Sequence, residues 1–270
     1  MPRQNKHWFW YSDRPYLHSG EISDSHFRAL GYLMTGLAGA INAGGFFAVN
    51  SFTSHITGAL SHTANELYAR QWFLALLAMA GVVAFVLGSA HASWLILWAK
   101  RQKFRSSYGM SMWLEALYLL FFGLLGFGLN QGWSLVHPTV WLLSFIMGMH
   151  NTVLTVLSGS VIRSTHMTGA ATDLGIELSK MLYYRRDTNP RLPSVNVNRP
   201  KMRFLLGILG SFVGGGVIGT WGYQYLGYHF TLPVSLILFM LGMNSVGYDI
   251  RIRMKWLLRK RLQRKRFQRK

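Results

Sequence analysis

Two stretches of this chain carry the same reactive side chains at the same spacing. The first, TSHITGALSHTANEL, covers residues 53–67, and the second, STHMTGAATDLGIEL, covers 164–178. His55, Thr57, Gly58, Ala59, Glu66 and Leu67 align without a gap on His166, Thr168, Gly169, Ala170, Glu177 and Leu178. A histidine among hydroxyls (Thr53, Ser54 and Thr57; Ser164, Thr165 and Thr168) can hold a polar or anionic group and exchange a proton near neutral pH. A helix that begins at such a point adds its free amides and the positive end of its dipole. The expected substrate-binding set is therefore His55, Thr57, Gly58, His166, Thr168 and Gly169. Asn42, His150 and Asn151 join it, because they lie in the apolar runs that precede the two copies, where amide and ionisable groups face the protein interior.

Two further groups inside apolar runs, Glu115 and His91, are the proton-coupling candidates. Glu66 and Glu177 are expected to pair with Arg70 and Lys180, each within four residues on one helical face. Glu66, Glu177 and Glu115 are all placed at the periphery of the centre. Asp173 has no acidic counterpart, since His62 stands at the matching position. The motifs of zinc proteases, nucleophile-elbow hydrolases and phosphate-binding loops do not occur, and the pair Tyr248 and Asp249 lacks the second acid that an aspartyl site would need. The chain has no cysteine, which excludes disulfides and thiolate metal sites. No enzyme activity, metal or cofactor is expected.

What positions these residues is an apolar scaffold. Of 270 residues half are hydrophobic and 14% are charged, against about 25% in soluble domains. Apolar runs that approach or exceed the roughly 20 residues needed to cross a bilayer recur at Gly31 to Val49, Trp72 to Trp98, Met110 to Leu129, Val140 to Leu157, Phe204 to Tyr225 and Leu232 to Val246. Lys and Arg gather before the first run, between the second and third, between the fourth and fifth, and after the sixth; Arg70 alone falls in the other connections. Basic residues stay on the cytoplasmic side, so both termini are expected to be cytoplasmic with an even number of crossings. Counting each polar copy as a full crossing would give eight spans and put Lys100, Arg101, Lys103 and Arg105 outside, against that rule.

The repeat extends beyond the polar copies. FVLGS at Phe85 to Ser89 resembles FVGGG at Phe212 to Gly216, once the Pro-, Arg- and Asn-rich stretch near 185–200 is taken as an insertion. Each half then has three spans with a polar segment after the first, and an odd number of spans inverts one half relative to the other. Gly44, Gly45 and the run AVNSF before one copy, and Ser158, Gly159 and Ser160 before the other, are where a helix can unwind before Ser54 or Thr165 caps a new one. Gly210 with Gly214, Gly215 with Gly219, and Gly36 with Ala40 have the spacing of close helix contacts.

With TSHITGA after a Gly-rich first span, a Gly-rich second span and six spans in all, the sequence resembles the YoaK-like family of bacterial integral-membrane proteins of unknown function. The resemblance covers roughly Gly31 to Val246 and implies a bacterial inner membrane. That family usually carries Asn after the Thr-Gly, where this chain has Ala59 and Ala170.

The fold expected is an all-α polytopic membrane protein: six transmembrane helices as two inverted three-helix repeats, each with a short polar broken or re-entrant helix after its first span. The segments are a cytoplasmic N-terminal part at 1–27, the first repeat at 28–130, the second at 136–248 with its insertion near 185–200, and a basic cytoplasmic tail at 251–270. That tail has eleven basic residues and no acid, interleaved with Trp256, Leu257, Leu258, Leu262 and Phe267, a pattern suited to an anionic leaflet rather than to nucleic acid. The expected function is a secondary transporter of a small polar or anionic solute with a midplane site at the repeat junction. A channel on the same repeats, and a membrane scaffold or sensor that binds lipid through its tail, are the rivals. Assembly of copies into a homo-oligomer is compatible with this pattern.

Overall fold

The computed structural model describes residues 25–49, 53–102, 104, 107–128, 136–158, 165–184, 196–243 and 246. The N-terminal segment 1–24, most of the insertion, the stretches 50–52 and 159–164 where unwinding is expected, the pair Tyr248 and Asp249 and the basic tail lie outside the described residues. Among the described residues the fold is entirely helical. Its helices are α1 (Ser25–Val49), α2 (Ile56–Tyr68), α3 (Trp72–Arg101), α4 (Ser107–Gly128), α5 (Val136–Leu157), α6 (Met167–Tyr184) and α7 (Arg199–Leu226). A 3-10 turn, Gly227–Phe230, then leads into a last helical stretch, α8, at 231–243. Over its described residues each apolar run of the sequence is helical, and each polar copy has become a separate short helix.

Among the described residues four stretches are long and apolar enough to cross a membrane: α3, α4, α5 and the segment Arg199–Met243, which the 3-10 turn divides. Their outward surfaces are apolar. Val83, Val86, Leu87 and Leu97 of α3 and Val213, Val217, Ile218 and Trp221 of α7 are all exposed, over a far larger area than a soluble protein presents to water. The protein is a membrane protein by this criterion. α1 lies inside, with Met34, Ala38 and Ile41 fully buried.

The packing exchanges helices between the two halves of the chain. α1 lies chiefly along α7, and α3 along α5. Glycine makes both approaches close. A Cβ at Gly39 would overlap the Phe212 carbonyl and one at Gly215 would overlap the Gly36 carbonyl, while a Cβ at Gly88 would overlap the Phe145 carbonyl and one at Gly148 that of Phe85. Ser89 Oγ donates to the Gly148 carbonyl at 3.1 Å on one of these seams. Gly219 lies against Ala40, as its spacing predicts, but Gly210 and Gly214 meet nothing and face outward. Their spacing matches a helix contact; their rotational phase on α7 does not.

α4 joins the other half through α8. Trp113 stacks on Phe239 with centroids 5.0 Å apart, and its indole N–H donates to the Phe239 carbonyl at 3.1 Å. Ser235 Oγ donates to the Ala116 carbonyl at 3.1 Å. The short helices remain with their own halves, α2 on α3 and α6 on α7.

Candidate functional site

The polar copies begin as the sequence leads one to expect, next to the helices that precede them, though not through the caps it suggests. The Ser54 N–H and Oγ both donate to Asn42 Oδ1, at 3.3 and 3.0 Å. In the other half the Thr165 N–H donates to Asn151 Oδ1, also at 3.3 Å. Asn42 lies seven residues before the end of α1 and Asn151 six before the end of α5, a retreat of about 10 Å at 1.5 Å per residue. Each short helix therefore starts well below the tip of its predecessor. Two asparagines named for their place inside apolar runs turn out to anchor the two helix starts.

Ser54 does not cap α2. The N-cap is His55, which makes no side-chain capping bond. His55 and His166 instead fold their rings back over the first helical turn, where a Cβ at Gly58 or Gly169 would overlap the imidazole of its own histidine. That contact explains why both copies need Gly three residues after His. His55, Thr57, His166 and Thr168 are exposed, and the backbone N–H groups of Ala59 and Ala170 close the first turns on the His55 and His166 carbonyls at 3.0 and 3.1 Å. The two histidines thus share one local geometry, each within its own half.

The carboxylates divide. Glu177 is nearly buried; one of its oxygens accepts from Lys180 Nζ at 2.9 Å and the other from the Asn198 N–H at 2.8 Å, where Asn198 caps α7. Lys180 and the Asn198 amide hold the Glu177 carboxyl below the usual carboxylate range. Asp173, which the repeat leaves without a role, reaches Lys201 at 2.9 Å, so the middle of α6 is clamped to the start of α7 twice. Glu66 departs from expectation: it meets His62 at 3.6 Å rather than Arg70. The helix ends at Tyr68, and Arg70 adopts a left-handed backbone with φ 60°, which takes it off the shared face.

The largest correction concerns Glu115. It is not peripheral: its side chain is fully buried, and its Oε1 lies 2.5 Å from His150 Nδ1 on α5, itself fully buried. The other ring nitrogen, His150 Nε2, lies 2.8 Å from the Met34 carbonyl on α1. A candidate proton group and a candidate substrate group thus form one unit that ties α1, α4 and α5 together. Glu115 Oε2 and the hydroxyls of Thr35 and Ser111 are buried with no partner among the described residues. The other proton candidate, His91, lies 3.4 Å from the Tyr118 hydroxyl and packs on Phe145, which sets it beside the unit rather than in it.

A family of proteins of unknown function, DUF1275, matches residues 30–243, and the chain belongs to that family. This agrees with the YoaK-like resemblance, and it attaches no substrate. No curated protein and no solved structure matches the chain significantly.

Proposed function

We propose that this DUF1275 member is a secondary transporter of a small polar or anionic solute, built from two inverted repeats that each contribute a broken-helix start to a site near the membrane midplane. The observation that carries this reading is the pair of matching anchors, Asn42 to Ser54 and Asn151 to Thr165, each recessed about 10 Å from the end of a long helix. Recessed helix starts in two inverted halves are the usual way for transporters to present backbone amides to a solute inside the bilayer.

The inverted repeat itself is supported by the reciprocal seams. Gly39 and Gly148 stand in the same position relative to Asn42 and Asn151, and Phe85 and Gly88 occupy the places that Phe212 and Gly215 occupy in the other half. Gly39 meets Phe212 as Gly148 meets Phe85, and Gly215 meets Gly36 as Gly88 meets Phe145. A two-fold axis in the membrane plane would generate one seam from the other. Six crossings then follow if α1 and α8 span together with α3, α4, α5 and α7, with both termini cytoplasmic, as the placement of Lys and Arg favours.

An anionic or neutral solute fits better than a metal or organic cation. Lys and Arg are absent from 106–162 and 204–250, so an anion would be held by helix-start amides, hydroxyls and protonated histidine. The buried acid that could serve a cation, Glu115, already faces His150. The basic tail would hold the cytoplasmic surface to anionic lipid. The test is uptake of a solute panel into proteoliposomes at pH 6 and pH 8 by the unaltered protein and by His55→Ala and His166→Ala. Reduced uptake in either variant, larger at one pH, is expected; unchanged uptake in both, or uptake confined to cations, rejects the assignment.

A further inference from the structure

We propose that Glu115 and His150 form a proton-binding site, in which a single exchangeable proton pins α5 to α1 and α4; its role as the coupling site rests on the transport reading above. The argument begins with the valence of the ring. The Met34 carbonyl can only accept, so His150 Nε2 must carry a hydrogen and donate to it. That leaves Nδ1 facing Glu115 Oε1 at 2.5 Å. Two lone pairs cannot meet at that distance, so one proton lies between them, on the imidazole or on the carboxyl. In both arrangements the pair is neutral, and in both the count of protons is the same.

Remove that proton and two things change together. Bare Nδ1 then faces a carboxylate oxygen, which drives the ring and the carboxylate apart, and the pair acquires a negative charge with no Lys or Arg in ion-pair reach of Glu115 among the described residues. A charge of that kind is disfavoured inside a membrane protein unless water reaches it. Proton loss therefore favours a state in which α5 separates from α1 and α4 and the site is hydrated, and proton binding favours the closed state seen here. Because α1 and α4 belong to one half of the chain and α5 to the other, the proton acts on the junction between halves, where an alternating-access motion would occur.

Three features mark the pair as an exchange site rather than a fixed ion pair. Glu115 Oε2 is buried with nothing donating to it among the described residues, a state it shares with Glu66 Oε2 and not with Glu177, both of whose oxygens are engaged. Two buried hydroxyls without a partner among the described residues lie on the same helices: Ser111, one turn before Glu115 on α4, and Thr35, next in sequence to Met34 on α1. Each can accept and pass on a proton. The site is also one-sided, since the position that matches His150, by its place before the anchoring asparagine, is Ile41. Other titratable groups on these and the adjoining helices are His91 and Tyr118, bonded to each other, Tyr108 beneath the Lys100 ammonium, Arg28 and Tyr32 on α1, and His137 at the start of α5.

The experiment is infrared difference titration of the purified full chain with isotope-labelled glutamate and histidine, reading carboxyl C=O and imidazolium absorption. A pH-dependent signal from the pair, a carboxyl C=O band if the proton sits on Glu115 or an imidazolium band if it sits on His150, is expected to disappear in both Glu115→Gln and His150→Gln. If Glu115→Gln does not fold, Glu115→Asp, which keeps the carboxyl on a shorter arm, should shift the same signal. A spectrum from which neither Glu115 nor His150 substitutions remove or shift anything overturns the proposal. A titrating pair without uptake of any panel solute keeps the proton site and removes transport; uptake without a signal from the pair does the reverse.

Discussion

Gly39 of α1 sits so close to Phe212 of α7 that a methyl group in place of its hydrogen would run into the Phe212 carbonyl. The same relationship holds between Gly148 and Phe85 on the α3–α5 seam. Backbone cannot yield as a side chain can, so Gly39→Ala and Gly148→Ala should each destabilise by about 1–3 kcal/mol. Gly214, with nothing near it, is the control: Gly214→Ala should be neutral or slightly stabilising, as in any open helix position. Thermal unfolding in detergent checks the contrast, and equal effects at Gly39 and Gly214 would refute it.

The ring-over-glycine contact at each polar copy makes a coupled prediction. Gly58→Ala should displace the His55 ring and Gly169→Ala the His166 ring. The cost should vanish when the histidine is removed first, so a double-mutant cycle of His55→Ala with Gly58→Ala should show a coupling of at least about 0.5 kcal/mol, the scale of contacting residues. Additive effects would mean that the glycine serves the backbone and not the ring.

The α6–α7 clamp should respond to acid. Glu177 has its carboxyl held below the ordinary range by Lys180 and the Asn198 amide, so its contribution is complete above the unfolded-state value and is lost as pH falls through the folded-state value. Melting temperature should therefore decline below about pH 4.5, the region of ordinary glutamates, and Glu177→Gln should flatten part of that decline. A variant curve parallel to the unaltered one would show that the clamp carries no such weight.

Topology can be read cleanly because the chain has no cysteine of its own. Single cysteines placed at positions 190 and 270 should react with a membrane-impermeant reagent only when the cytoplasmic face is opened, and those at Gly132 and Gly227 from outside in intact cells. Any exchange between these two groups would remove the inverted repeat, since parity of crossings is what inverts the halves.

The helices and the two polar copies were legible because each is a local pattern: a run of apolar side chains, or a motif written twice. Even the insertion that shifts one half against the other showed in the spacing of FVLGS and FVGGG. The Glu115–His150 unit was not legible as a unit, since 35 residues separate its members. Their meeting depends on how α4 and α5 are rotated about their axes, which hydropathy does not encode. The same limit explains Gly210 and Gly214, correctly spaced for contact but turned outward. Arg70 was misread for a local reason, the end of α2 two residues before it. The histidine over Gly58 was within reach: His followed by Gly at the third position, twice, is the visible trace of a ring lying on a helical turn.

The exchange of helices between halves also constrains how the chain can be made. α1 emerges early from the ribosome, yet the helix it lies along, α7, begins only at Arg199. Until then the glycines at positions 36 and 39 have no backbone to receive them, and Asn42 has only its own half to pair with. Synthesis must therefore carry a first helix with an open glycine groove through the whole middle of the chain before that groove is filled. A ribosome that stalls between α6 and α7 would leave α1 the helix most exposed to membrane quality control.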